Sequence, residues 1–333
     1  MKFSIILPVK NGGDYVKECV QSILAQSCPD FNLHILENCS TDGTAEWLQT
    51  LEDERIIIIP AEKSLSIEEN WARILSIQKN EFMTIIGHDD LLESNYLQVM
   101  NDLISKFPDA SLYQTHFKFI DAKGNLIKHC KSMDATQTVD EFLKSLFTDT
   151  IDTMGTGYMM RSIDYDAVGG IPSYPNLMFA DHALWIKLTA FHYKATASSE
   201  SFLYRLHENV SKTSSASNYI NAFYKYMDFL IKLKSDVSSV GVVIEEYVTA
   251  YIRYYCRSLS HRLLKTPLHE RNGITVSDFI NNCIKYNDLL TGKAKLQPLK
   301  QFNIRFAKFI DNNVILRKSY FLFKKIYTKP IYS

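Results

Sequence analysis

Hydrophobic positions in the first ninety residues switch repeatedly between two periods. Phe3 to Leu7 is a short apolar run closed by Pro8, as in a buried strand. Asn11-Gly12-Gly13-Asp14 supplies turn chemistry with Asp14 as a cap, and Val16, Cys19, Val20, Ile23 and Leu24 then recur at helical spacing. A second strand is expected over Asn32 to Leu36, followed by the polar loop Glu37 to Gly43 and a helix presenting Ala45, Leu48 and Leu51. Ile56 to Ile59 is β-branched and short, a third strand. Helical spacing returns over Ile67 to Ile77, and Phe82 to Ile86 forms a fourth strand ending at Gly87.

Strands alternating with helices predict a mostly parallel sheet covered on both faces, an α/β fold. In such sheets ligands bind beyond the carboxyl ends of the strands. Lys10-Asn11, Glu37-Asn38 and His88-Asp89-Asp90 all fall at such ends. After about Ser111 the alternation loosens, and from about Ser215 the pattern is helical, with amphipathic segments over Tyr219–Lys234 and Val242–Leu264. The expected division is a domain over 1–214, with a nucleotide-binding half to about 110 and an acceptor half over 111–214. A helical C-terminal region follows over 215–333.

Composition narrows the setting. The 333 residues carry a formal net charge of +0, which argues against nucleic acid as a partner. The six cysteines include no close CxxC pair, so neither a zinc site nor a redox dithiol is indicated, and a reducing compartment is expected. Met1 to Pro8 is too briefly apolar for a signal peptide, and no apolar stretch approaches the roughly 20 residues needed to span a bilayer. The expected location is cytoplasmic.

Asp89 and Asp90 follow an apolar strand, where burial is costly unless a cation or hydrogen bonds compensate. Hard divalent cations take carboxylate oxygen and share it with substrate phosphates. The competing reading makes Asp90 the cap of a helix starting near Leu92. An amide at Asn38 can pair with a nucleobase edge, having both a donor and an acceptor, whereas Ser40-Thr41-Asp42-Gly43 builds a turn.

These segments form an ordered series. Ser4-Ile5-Ile6-Leu7-Pro8-Val9-Lys10-Asn11, Asp14-Tyr15-Val16 and Ser22-Ile23-Leu24-Ala25-Gln26-Ser27 resemble the opening of family 2 glycosyltransferases, which have the GT-A fold. Glu37-Asn38-Cys39-Ser40-Thr41-Asp42-Gly43-Thr44 resembles their "ENxSTDGT" segment, and His88-Asp89-Asp90 falls at their metal-binding segment. Gly155-Thr156-Gly157 to Arg161, Val168 to Pro172, and Phe179-Ala180-Asp181-His182-Ala183-Leu184-Trp185 look like the stretch carrying the catalytic carboxylate, with Ala180 in place of the usual first acid. Leu203-Tyr204-Arg205-Leu206-His207 resembles the "YRxHxxNxS" element.

The resemblance implies a glycosyltransferase moving a sugar from a nucleotide-diphosphate donor, a UDP-sugar by preference, to an acceptor hydroxyl with inversion. Pro8, Val9 and Asn11 line the base pocket on this reading, with Glu37 available beside them and Asn38 at the uracil edge. Asp89 approaches the ribose or diphosphate, Asp90 binds Mn²⁺ or Mg²⁺, and Asp181 is the general base. Gly87 and His88 replace the first two members of the fuller "DADD" form, leaving His88 beside the donor rather than on the metal. His207 completes the metal shell or touches the diphosphate, with Arg205 beside it. Glu68 to Arg73 resembles an "ENWNR" helix, which sets Arg73 near the diphosphate against Trp71 in the core and Arg73 in solvent. Residue physics alone would make Asp181 an N-cap.

From Lys293 onward the chain carries ten basic residues and only Asp311 as an acid, interleaved with aromatics. That pattern suits either the surface of an anionic bilayer or a helix packed on its own domain. Membrane contact at the inner face of the cell membrane fits a lipid-linked saccharide acceptor, as in bacterial surface polysaccharide or lipopolysaccharide synthesis. The alternative from a different class is a catalytically degenerate GT-A-like nucleotide- or carbohydrate-binding protein, given Gly87 and Ala180. A nucleotidylyltransferase lacks its Gly-rich, Arg-containing loop here, and a nicotinamide dehydrogenase lacks GxGxxG after the first strand.

Overall fold

A computed structural model describes residues 1–206, 214–293 and 296–327, with side chains of 324–327 left aside. The chain divides into two compact units, Met1–Glu208 and Asn209–Ser333.

The first unit is built on one sheet. Strands β1 (Phe3–Val9), β2 (Phe31–Glu37), β3 (Ile56–Pro60) and β4 (Phe82–Ile85) are joined in the order β3-β2-β1-β4, all parallel. β1 is buried at every position because it lies between two strands and under helices on both faces, which is why it reads as an unbroken apolar run. Helix α1 (Gly13–Leu24) buries Val16, Cys19, Val20 and Ile23. Helices α2 (Thr44–Leu48) and α3 (Ile67–Ala72) are shorter than their periodicity suggests. α3 opens on a Ser66–Glu69 capping box and tightens into a 3₁₀ turn over Arg73–Ser76.

Beyond β4 the sheet becomes mixed. β9 (Met159–Arg161) runs antiparallel between β4 and β6 (Leu112–Ile120), and β10 (Lys194–Arg205) lies parallel to β6. The two-residue strand β5 (Leu91–Leu92) and β8 (Thr136–Gln137) pair with β10, and β7 (Leu126–His129) pairs with β6. Helices α4 (Tyr96–Lys106), α5 (Val139–Thr148), α6 (Ser162–Ala167) and α7 (Ala180–Thr189) complete this unit.

The second unit is helical in its described residues: α8 (Ala216–Asp236), α9 (Val240–Leu264), α10 (Val276–Thr291), α11 (Phe302–Asn312) and α12 (Val314–Tyr327). Its core gathers Phe223, Ile244, Ile252, Leu263, Phe279 and Ile304. Among the described residues, no helix is long and apolar enough to cross a membrane.

Candidate active site

The carboxyl ends of β1 and β2 are laced together by main-chain and side-chain hydrogen bonds. Val9 pairs in register with Glu37, and the Asn38 N–H donates to the Val9 carbonyl at 3.0 Å. Asn11 sits in the left-handed region at φ 55°, where its Oδ1 accepts from the Thr41 N–H at 2.8 Å and its own N–H donates to Ser40 Oγ at 2.9 Å. Asn tolerates that conformation better than other non-glycine residues, which accounts for its place in the turn. Pro8 and Val9 are buried, while Lys10 and Asn11 are exposed at the rim. Lys10 Nζ donates to Ser64 Oγ at 2.6 Å.

Three expected ligand contacts are revised here. Both edges of the Asn38 amide face the backbone of Leu65, Nδ2 donating to its carbonyl at 3.0 Å and Oδ1 accepting from its N–H at 2.8 Å. The amide mimics a strand partner and holds Leu65 in place. Glu37 accepts from the N–H groups of Cys39 and Ser40 at 3.1 and 2.6 Å, and the turn consumes the carboxylate. Arg73 spends its two terminal nitrogens on the carbonyls of Ile59, Pro60 and Glu37 and on Asn70 Oδ1, tying the ends of β2 and β3 rather than reaching outward. Trp71 is half-buried, so it is not a core residue either.

The acidic turn after β4 is organised around a missing side chain. A Cβ on Gly87 would lie 2.7 Å from Asp89 Oδ1 and 3.1 Å from Asp90 Oδ2, so two carboxylates converge on a point that only glycine leaves open. Asp90 is 3% exposed and does not cap a helix: the next one, α4, begins after Asn95. Its Oδ2 accepts from the Thr156 hydroxyl at 2.9 Å and its Oδ1 from the Arg205 N–H at 2.9 Å. Burial pushes the Asp90 carboxyl well above the usual range and the Asp89 charge adds to this, while those two donors pull it back. His88 and Asp89 are half-buried beside it.

Arg205, which a place beside the diphosphate would require to be accessible, is instead 1% exposed. Its Nε donates to the Asp89 carbonyl at 2.7 Å, one terminal nitrogen reaches Glu18 Oε2 at 2.6 Å, and the other reaches the Ala122 carbonyl at 3.2 Å. The guanidinium also lies 4.7 Å from the Tyr15 ring centroid. Residues from α1, the acidic turn and the end of β6 are thereby locked to the end of β10.

Asp181 reaches the same place from another direction. α7 follows Phe179, a left-handed N-cap at φ 61°, and has no side-chain cap hydrogen bond, so Asp181 is not the cap. Its carboxylate is half-exposed, and no hydrogen-bond or ion-pair partner for it is found among the described residues. A Cβ on Gly155 would lie 3.8 Å from Asp181 Oδ2, and the next residue, Thr156, holds Asp90. The 154–158 segment that joins them is firmly fixed. Trp185, one turn along α7 from Asp181, donates through Nε1 to the Met154 carbonyl at 3.2 Å and stacks on Tyr158 with ring centroids 4.4 Å apart. Gly157 donates to the Ile85 carbonyl at 2.9 Å, and Thr84 donates to the Tyr158 carbonyl at 2.7 Å. Tyr204 feels all three acids: burial raises its hydroxyl pKa, and the charges of Asp90, Asp89 and Asp181 raise it further. Asp89, Asp90 and Asp181 therefore lie near one another around Gly155, Thr156 and Tyr204.

The paired carboxylates suit a divalent cation that takes its other ligands from phosphate and water. Their desolvated charge and the gap above Gly87 are the features that fit it. Among the described residues no group of three or more His, Cys, Asp or Glu could hold a metal alone, and His207 lies outside the described residues. Sequence reading passed over Thr156 and Tyr204 as site residues, although each belongs to a segment noted there, Gly155-Thr156-Gly157 and Tyr204-Arg205. The significance of Thr156 depends on a contact across 66 residues.

Comparison with known proteins agrees with this geometry. Residues 4–166 match the model of glycosyl transferase family 2. The chain is 26% identical over 210 residues to TuaG of Bacillus subtilis, a putative teichuronic acid biosynthesis glycosyltransferase, covering 62% of this chain and 79% of that protein. It is 22% identical over 133 residues to the glycosyltransferase GlyG of Streptococcus pneumoniae, covering 39% of this chain and 44% of that relative, less than half its length. The crystal structure of S. aureus TarS 1–349 in complex with UDP-GlcNAc superposes with a TM-score of 0.69 at 16% identity, covering 96% of this chain and 91% of that one. The fold is that of TarS, a GT-A fold. With its acidic turn after β4 and its parallel half-sheet inside the matched stretch, this chain carries over residues 4–166 a segment that matches glycosyl transferase family 2.

Proposed function

We propose that the protein transfers a sugar from a nucleotide-diphosphate donor, a UDP-sugar by preference, to an acceptor hydroxyl with inversion at the anomeric carbon. The observation that carries this reading is the convergence of Asp181 with Asp89 and Asp90 through the adjacent residues Gly155 and Thr156. The complexes of TarS with UDP-GlcNAc and with UDP support a uridine nucleotide as the donor carrier. The naming of TuaG supports a polysaccharide pathway.

The base enters between Pro8–Asn11 and the 61–65 stretch, held at Leu65 by Asn38, with Lys10 at the rim. Binding energy gathered there, remote from the reacting carbon, orients the donor. Asp90 and Asp89 would hold Mn²⁺ or Mg²⁺, which when bound supplies positive charge against the departing diphosphate. His207 is retained as a further candidate ligand. Thr156 and the Arg205 N–H orient Asp90 and favour its charged form against the effect of burial. Asp181, half-exposed and without a competing hydrogen bond, accepts the proton of the acceptor hydroxyl as that oxygen attacks the face opposite the leaving group. A saccharide or lipid-linked saccharide supplies the hydroxyl.

Asp181→Asn keeps the size and removes the basicity. Turnover of UDP-sugar should fall by roughly 10²- to 10⁴-fold, while donor binding by calorimetry stays within about twofold. Unchanged turnover would remove Asp181 from this role and with it the proposed chemistry. Chelation followed by return of Mn²⁺ or Mg²⁺ should abolish and restore donor binding; metal-independent binding would remove the cation from the scheme.

A further inference from the structure

Helix α11 turns the wrong face outward for a helix that belongs only to a protein core. Ile304, Ala307, Ile310 and Asp311 are buried against the helical unit, while Phe302, Phe306 and Phe309 are 67%, 38% and 63% exposed. At 100° per residue the three phenylalanines fall within an arc of about 60°, away from the buried stripe. On α12, Val314, Ile315, Lys318 and Leu322 share one face by the same geometry and are all exposed, Ile315 at 76%. The Phe306 and Tyr320 rings meet edge to face at 6.4 Å, which brings the two helices alongside one another there.

The exposed charges carried by these two helices have one sign. Asp311 is the sole acidic residue from 293 onward, and it is consumed internally. Its carboxylate accepts from Arg271 at 2.6 Å and from the Val276 N–H at 2.8 Å, with its side chain 2% exposed. Lys300, Arg305 and Lys318 are exposed, so the charge that the described part of this segment offers to solvent, beside its aromatic and aliphatic side chains, is cationic.

We propose that the faces of α11 and α12 dock the protein on an anionic lipid bilayer, the aromatic and aliphatic side chains entering the headgroup boundary and the cations meeting lipid phosphates. Charge distinguishes a bilayer from a second copy of the chain. A two-fold contact through this face would set the same cations against one another, whereas a negative surface accepts them all. The inference specifies where the membrane contact expected from the basic tail occurs, and it stands independently of sugar transfer because binding is read without donor.

The test is sedimentation of the full chain with vesicles of phosphatidylcholine, with and without about one-third phosphatidylglycerol. Wild type should bind the anionic vesicles and remain in the supernatant with the neutral ones. Arg305→Gln with Lys318→Gln should weaken binding roughly 30-fold at low salt, at about fivefold per cation. The triple variant F302S/F306S/F309S, with melting temperature and donor turnover unchanged, should lose binding at least tenfold. Equal binding by that variant, no binding by wild type, or a defined wild-type oligomer that the phenylalanine variant dissolves would each overturn the proposal.

Discussion

Lys194 opens β10, the strand that ends on Arg205, and it is fully buried. Its ammonium donates to Gln114 Oε1 at 2.9 Å and lies 5.0 Å from the Phe142 ring centroid. Burial pulls its pKa from the ordinary 10.5 down to about 7, only partly opposed by the charges of Asp134 and Cys130. Because the folded pKa is lowered, the unfolded chain binds more protons throughout the window between about 7 and 10.5, and stability rises with pH across it. Below that window the buried charge costs on the order of 5 kcal/mol, at 1.36 kcal/mol per unit. Lys194→Met keeps an unbranched apolar stem, removes the charge and leaves Gln114 Oε1 without its donor, which costs about 1–3 kcal/mol. The net expectation at pH 7 is a gain of roughly 2–4 kcal/mol. Trp47, Trp71 and Trp185, all three tryptophans of the chain, lie in the first unit, so urea unfolding followed by tryptophan fluorescence reads that unit alone. Repeated near pH 9.5, the advantage of the variant should shrink by about 3 kcal/mol as the wild-type lysine loses its penalty. A variant no more stable at pH 7, or a difference that ignores pH, would refute the reasoning.

Two further outcomes follow from the site. Gly157 holds φ +79° and a Cβ there would lie 2.4 Å from the Phe202 ring, so Gly157→Ala should destabilise the first unit by about 3 kcal/mol or more in the same assay, with Phe202→Leu recovering part of the loss. Thr156→Val removes one of the two donors that restrain the Asp90 pKa, so the acid limb of the donor-turnover profile should move up in pH; an unmoved limb would separate Thr156 from the acidic pair.

Much of the first unit was legible because its local signals agree with its global fold. β1, β2 and β4 are parallel strands buried on both faces, so their apolar runs announce them, and the polar residues that end them must lie on one edge of a parallel sheet. α3 was read too long, since Ile67 to Ile77 keeps helical spacing through a 3₁₀ turn whose different hydrogen bonding leaves that periodicity almost unchanged. Asn38, Glu37 and Arg73 carried the right chemistry for a ligand, but an amide, a carboxylate and a guanidinium satisfy loop backbone equally well. Which of the two they serve depends on whether Leu65, Ser40 and Ile59 stand within 3 Å.

The sequence by itself determined the alternation of strands and helices, the strand-end position of the acidic turn and the uniform charge of the tail. These follow from short-range periodicity and residue type. The tertiary structure alone decided that Asp181 and Asp90 meet around Gly155-Thr156, that Gly87 leaves room for two carboxylates, that Arg205 is a brace, and that three phenylalanines of α11 face outward. Each of those depends on which distant residue occupies the neighbouring few ångströms, and side-chain hydrogen bonding and burial are fixed only when the chain has closed on itself.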